Sequence, residues 1–534
     1  MTDTATAETD TAPERSWTSA DRLAALTFAV ALAVAFVTFL TMGRRNWFFL
    51  DEWDFLADRR VTSVDDLMRP HNEHWSTLPI IVYRAMYWVF GLRSYVPYVL
   101  LVVVLHLTAA TLLRIVMRRS GVHPWLATAA AGMFLFLGSG FQNIVWAFQI
   151  GFVGSLVCGL AHLILSDHDG GFDRRDAIGL LFGLAALMCS GVGVTMVATV
   201  GLAVLLRRGW RMAALHTAPL GAAFLVWWVT VGRTVEEYAS RPTPRGLVEY
   251  VGTALGHALR EAGSLTVVGV AMVVVLVGGC VLALVDGIDG GWRRAAAPFA
   301  LVGGSVLFLT IAGMGRAGIF GLEAARISRY VHLVFAMLVP AIAVGANAIA
   351  RRWPVALPFL AVLLVLGIPG NLAEINGDSL EVRILRGDPA FVKTLPLLDV
   401  ATEVPRGTVA DRGLYPYMTI GWLVDGNRSG RIPDPDRINE TIAGIGRTRL
   451  LLEQVRAVGQ PTGCTQLTGK HELELAKGQS FRVLGGDVRV RVTAKGRTGP
   501  PTRYTRPRNS AIVARADLTA VVMPFRSKPL LCGP

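Results

Sequence analysis

Apolar positions in this chain come in long runs before they come in alternation. The stretches 23–42 and 265–285 are almost wholly apolar, and about 20 such residues span a hydrocarbon layer at 1.5 Å rise per residue. The runs recur to about residue 369. They predict about eleven membrane helices, near 23–42, 95–116, 124–139, 144–165, 177–189, 192–206, 212–232, 264–285, 296–314, 331–350 and 354–369. Two hairpins enter on length: 177–206 is too long for one upright helix and turns at Ser190-Gly191-Val192-Gly193, and 124–165 divides near Gly138-Ser139-Gly140. After 371 the pattern changes. Residues 378–455 mix helical and loop features, with Ile420-Gly421-Trp422-Leu423 ahead of a turn-rich Asp425-Gly426-Asn427. From Ser480 the period becomes two, as in Val488-Arg489-Val490-Arg491-Val492, and it resumes over 511–525. Such alternation predicts half-buried strands.

The expected fold is a polytopic α-helical membrane protein with a C-terminal extracytoplasmic α/β domain that ends in a β-sandwich-like part. The expected domains are a disordered cytoplasmic tail over 1–20, a transmembrane domain over 21–370 with an outer loop at 43–93, and a C-terminal domain over 371–534. Composition agrees: the chain is 52% hydrophobic and 17% charged, against about 25% charged in soluble domains. Basic pairs lie between the runs at Arg118-Arg119, Arg174-Arg175, Arg207-Arg208, Arg293-Arg294 and Arg351-Arg352. The positive-inside bias puts them in the cytoplasm with the N-terminus, in a cell membrane, and leaves everything after about residue 370 outside. The net charge of +13 partly reflects these arginines, so no nucleic-acid partner is needed. Of five cysteines, Cys464 and Cys532 form an even pair in the outer domain, and an oxidising compartment predicts a disulfide between them.

Two outer features carry chemistry. Just after the first run the chain reads Trp47-Phe48-Phe49-Leu50-Asp51-Glu52-Trp53-Asp54. Desolvated carboxylates at that depth suit base chemistry or metal binding; an interfacial helix with its acids facing water is the equal alternative. His71, Glu73, His74 and Trp75 follow, read as a polar rim of the site rather than a metal centre. The second feature is the outer loop bearing Arg316, Arg326, Arg329 and Tyr330. Arginine is under-represented in short outer loops, and its planar fork matches phosphate oxygens. Arg44 and Arg45 lie at the same depth.

The Asp51-Glu52 pair after the first membrane helix, the Leu78-Pro79 step before an amphipathic helix, the helix count, the late basic loop and the C-terminal domain together resemble the GT-C integral-membrane glycosyltransferases. The layout is similar to the dolichol-phosphate-mannose and aminoarabinose transferase families over about 23–369. His-Trp-Ser-Thr-Leu-Pro stands where those families often carry Lys-Pro-Pro. The resemblance implies a polyprenyl-phosphate sugar donor, a membrane-lipid environment, and an extracytoplasmic glycan, lipid or protein acceptor. It implies Asp51 as catalytic base, Glu52 as acceptor-orienting group or metal ligand, and Asp54 as a second catalytic candidate. Arg316, Arg326, Arg329 and Tyr330, with Arg44 and Arg45, would receive the donor phosphate. A divalent metal (Mg²⁺ or Mn²⁺) at Asp51 and Glu52 stays open. The competing classes are a transporter or flippase for lipid-linked sugars and a non-catalytic cell-envelope assembly protein.

Overall fold

The computed structural model of the protein describes residues 18–234, 242–287, 292–376, 379–457, 459–461, 463–504, 510–526 and 528–533. Of the tail assigned to 1–20, residues 1–17 lie outside that set. The helical part runs α1 (Ser19–Gly43), α2 (Val64–Met68), α3 (Thr77–Phe90), α4 (Val96–Arg119), α5 (Pro124–Leu135), α6 (Gln142–Val145), α7 (Ile150–Ser166), α8 (Arg174–Leu187) and α9 (Val192–Arg208). It continues with α10 (Trp210–Thr230), α11 (Pro244–Gly263), α12 (Thr266–Asp286), α13 (Ala296–Phe320), α14 (Ser328–Arg352), α15 (Ala356–Leu363) and α16 (Ile368–Ile375). Among the described residues, eight helical segments are long and apolar enough to cross a membrane, as in a polytopic membrane protein. Helices α5, α8 and α9 are shorter, at 12, 14 and 17 residues.

Local chemistry sets the helix ends. Thr18 and Asp21 form a reciprocal capping box at the start of α1, and Asp173 with Asp176 does the same for α8, each satisfying backbone donors that have no partner within the helix. Helices α4, α9 and α14 each close on an arginine pair, where positive charge offsets the helix dipole. The centre of the bundle is α14, in which every residue from Tyr330 to Ala346 is buried. It meets α12 backbone to backbone: a Cβ on Gly345 would lie 2.4 Å from the Val275 carbonyl oxygen, and one on Gly279 2.5 Å from that of Gly345. Small residues at such crossings replace the hydrophobic drive that lipid does not supply.

The hairpin turns fall at 188–191 and around Gly138–Gly140, but the second is a buried broken segment that runs through α6 to the start of α7. Helix α11 was not foreseen, because its apolar positions form one stripe and not a run. The expected single helix at 354–369 is instead α15 and α16, interrupted at 364–367 and reaching Ile375, past the expected domain boundary. Beyond it come α17 (Leu380–Ile384), α18 (Pro389–Thr394), α19 (Ile420–Arg428) and α20 (Glu440–Leu451). Asp425-Gly426-Asn427, read as a turn, lies inside α19. These short helices sit on the loop after α1: Trp47 N–H donates to the Leu385 carbonyl (2.9 Å), Leu92 N–H to that of Arg431 (2.7 Å), and Tyr87 stacks on Trp422 at 5.2 Å.

The C-terminal domain is antiparallel β. Its strands are β1 (Leu452–Arg456), β2 (Cys464–Gln466), β3 (His471–Leu475), β4 (Ser480–Leu484), β5 (Asp487–Ala494), β6 (Arg497–Thr498), β7 (Thr502–Tyr504), β8 (Ser510–Ala514), β9 (Leu518–Phe525) and β10 (Leu530–Cys532). One sheet has the order β1-β8-β4-β10-β2; the other is β3-β9-β5-β6, with β7 also paired to β5. The period-two reading holds in β5, where Val488, Val490, Val492 and Ala494 are buried. The sheets begin before Ser480, with β1 to β3, of which β2 at three residues is too short to show a period. The expected disulfide joins Cys464 in β2 to Cys532 in β10.

The α12–α14 crossing yields a test. Gly345→Val is expected to cost about 1–3 kcal/mol through overpacking. Gly221→Ala, whose added Cβ meets nothing within 4 Å, should be neutral. Thermal unfolding of the detergent-purified protein, followed by size-exclusion recovery, reads the difference.

Candidate active site

The acidic turn is built around a buried carboxylate. Leu50 adopts a positive φ of 45°, reversing the chain and sending Glu52 inward, where it is fully buried. Its oxygens accept from Tyr83 OH (2.8 Å), Tyr95 OH (3.0 Å), Trp146 Nε1 (3.1 Å) and Phe49 N–H (2.8 Å). Burial pushes its pKa up to about 7 against the opposing pull of these donors. A carboxylate has about four lone-pair sites, so Glu52 is a structural joint with no capacity left for a metal or an acceptor hydroxyl. The Asp51–Glu52 pair therefore does not fit a two-carboxylate metal site.

Asp54 is also engaged. Arg59 donates to it through Nε and Nη2 (2.9 and 2.8 Å), and His71 Nδ1 lies 2.6 Å from Oδ2. Burial raises the Asp54 pKa, but the hydrogen bonds from His71 and Arg59 outweigh it and hold the carboxyl at about 2. Arg59, itself buried, also donates to the carbonyls of Asp66, Arg69 and Pro70, which fixes the whole loop. With Nδ1 turned to Asp54, the buried Nε2 of His71 has no hydrogen-bond partner among the described residues, and its ring packs against Phe55 and Phe148. Asp51 differs from both neighbours. It is partly exposed, and among the described residues no side-chain partner holds its carboxylate.

The arginine-bearing turn shares its support with this loop. Trp146, which holds Glu52, follows α6. In α6, Asn143 donates to the Arg329 carbonyl (3.0 Å), and Gln142 N–H donates to Ser328 Oγ (3.2 Å). Arg316 at the end of α13 pairs with Glu73, tying the histidine segment to the same turn. Arg326 is occupied by Glu323 at 3.1 Å. Arg329 lies over the Tyr330 ring at 5.8 Å, is partly buried, and has no ion-pair partner among the described residues. Arg44 and Arg45 are exposed; Arg45 lines a crevice of about 30 Å³ with Asn46, Asn376 and Arg386.

The expected rim divides. Glu73 is exposed, and burial pushes the His74 pKa down to about 4, with Arg316 and Arg329 adding repulsion and Glu73 opposing. Trp75 leaves the rim altogether: it stacks on Trp227 at 5.3 Å and 4° in a separate apolar cluster, so it is a packing residue. Sequence reasoning missed Arg59, Tyr83, Tyr95, Asn143 and Trp146. Only the aromatic content of 77–98 hinted at any of them.

Among the described residues, metal-compatible spacing occurs once, at His168, Asp173 and Asp176. There Arg208 donates to both oxygens of Asp176 (2.6 and 3.0 Å), so a cation is already in place. No protein-family profile matches this chain, and no curated protein matches it. Fold and site thus define a class, a polytopic helical membrane protein with a C-terminal antiparallel β domain and a polar site at their junction.

Two expectations follow from the buried carboxylates. Arg59→Met strands Asp54 and three carbonyls, which costs about 3–5 kcal/mol for a broken buried pair, read as a lowered unfolding temperature that Arg59→Lys does not restore. Glu52 has a folded pKa above its ordinary value of 4.5, so the folded state binds more protons between pH 4.5 and 7 and loses stability as pH rises through that window. Unfolding temperatures measured across it should fall for the parent protein and stay flatter for Glu52→Gln.

Proposed function

We propose that this protein is a GT-C-type glycosyltransferase that moves a sugar from a polyprenyl-phosphate donor to an extracytoplasmic glycan, lipid or protein acceptor. One observation carries the reading. Of the three carboxylates in the acidic turn, two are locked and Asp51 is unengaged, while the segment bracing that turn also braces the turn of Arg329, a cation without an ion-pair partner among the described residues. Asp51 takes the proton of the acceptor hydroxyl as its oxygen attacks the anomeric carbon. The bond from that carbon to the phosphate oxygen breaks, configuration inverts, and Arg329 receives the charge of the departing polyprenyl phosphate, with Arg316 and Arg326 behind it. Fixed charge at a developing anion in a site of low dielectric is often the largest catalytic contribution.

The topology proposed with it has eleven crossings, the N-terminus inside and the β domain outside. Arg118 bonds Asp21, Arg119 the Ile164 carbonyl, Arg208 that of Ser166, and Asn347 that of Gly121. These contacts gather the arginine-rich helix ends at one end of the bundle with the start of α1. Helix α11 adds no crossing. Its Tyr250 donates to the Ala324 carbonyl, and its C-terminal turn receives Asn371, both beside the arginine-bearing turn.

A second reading, a transporter or flippase for lipid-linked sugars, is favoured by the pair His106 and His332, fully buried inside the bundle and 3.0 Å apart. Ionisable groups within a membrane bundle commonly mark a pathway. The purified protein in lipid nanodiscs, given polyprenyl-phosphate sugars and a mixed glycan acceptor pool, is expected to transfer sugar. Asp51→Asn should lower the rate about 10²–10⁴-fold, the usual worth of a general base. Undiminished transfer in that variant removes Asp51 from the mechanism, and flux of lipid-linked sugar across sealed proteoliposomes without transfer selects the transporter.

A further inference from the structure

A second polar cavity lies where α20 enters the β domain. It encloses about 640 Å³, within the 300–1,000 Å³ typical of small-molecule sites. One wall is the 409–413 segment and another is the edge strand β1; β7 and Arg515 close the rest. Five arginines line it, Arg412, Arg449, Arg456, Arg503 and Arg515, against two carboxylates, Asp411 and Glu453. Those carboxylates are shared out: Asp411 pairs with Arg449, and Glu453 serves both Arg412 (3.4 Å) and Arg515 (2.7 Å), while Arg503 pairs with Asp487 (2.5 Å) behind the wall. Arg456 has no ion-pair partner among the described residues. Thr502 and Tyr504 of β7 complete the wall.

We propose that this cavity binds an acidic carbohydrate, a glycan bearing carboxylate or phosphate groups, and that it holds the acceptor of the transfer reaction; the acceptor role rests on the transferase reading above. The excess of arginine calls for an anion, since guanidinium forks pair with carboxylate and phosphate oxygens. A largely polar wall calls for a ligand rich in donors and acceptors, which a glycan is and a phospholipid headgroup lying in a membrane plane is not. A peptide adding to the edge of β1 would need apolar pockets for alternate side chains, where this wall offers arginines. The cavity wall is joined to the acidic turn through the chain: the 409–413 segment leads into Tyr415, whose ring lies 5.9 Å from that of Trp53, next to Glu52.

The test is binding to the full-length protein in nanodiscs of neutral lipid, by calorimetry and without sugar donor. The probes are an oligouronate, its carboxyl-reduced neutral counterpart, a sugar-phosphate oligomer and an acidic peptide. The oligouronate or the sugar-phosphate oligomer is expected to bind at least tenfold tighter than the neutral glycan. The preference should shrink with added salt, and the stronger of the two identifies the anionic group. Arg456→Glu, at an exposed strand end, should weaken that binding about tenfold while unfolding at the parent temperature; Arg412→Glu is the second variant should the first misfold. Equal binding of acidic and neutral glycans, unchanged affinity in both variants, or tighter binding of the peptide each overturns the proposal. Transfer without acidic-glycan binding defeats only this proposal, and binding without transfer defeats only the transferase reading.

Discussion

A carboxylate taken fully out of water has to be satisfied from within the protein, and Glu52 is satisfied from four separate places. Tyr83 comes from α3, Tyr95 from just before α4, Trp146 from the broken segment ahead of α7, and Phe49 N–H from the turn itself. Removing any donor exposes the cost of the others, so these elements hold one relative arrangement. The neighbouring Arg59 applies the same logic with opposite charge, spending its donors on Asp54 and three carbonyls. Between them these two groups convert an acidic, aromatic loop into a rigid platform, and rigidity is what lets one remaining carboxylate sit at a defined place.

That platform also explains why the C-terminal part is more than an appendage. The short helices α17 to α19 cover the loop through Leu385, Arg431 and Trp422, and the β sheets stand beyond them. Apolar surface on the loop is thus buried by protein instead of lipid. The polar chemistry collects at the junction of the two parts, which is where concave sites commonly form.

Much of the bundle was legible because lipid imposes a local rule. A stretch must be apolar for about 20 residues to cross, and α1, α4, α12 and α14 announce themselves that way. Helix α11 escaped because half its surface is polar, and the chain before α7 was mistaken for regular helix because a buried broken segment is as apolar as a membrane helix. In the β domain β5 alternates clearly over eight residues, whereas β2 and β7, at three residues each, are too short to show any period.

The site divides along the same line. Its acidic and basic residues, and the cysteine pair, are local facts of composition and position, and the amino-acid order alone determined them, together with the apolar runs and the strand alternation. Which carboxylate of the acidic turn and which arginine of the later turn stay unpaired among the described residues, and that Trp75 packs against Trp227 while Trp146 serves Glu52, were decided only by tertiary structure. The reason is distance along the chain: Glu52 and Trp146 are 94 residues apart, and His106 and His332 are 226. A hydrogen bond across such a gap leaves no periodicity to read, because its two halves become neighbours only after the helices pack.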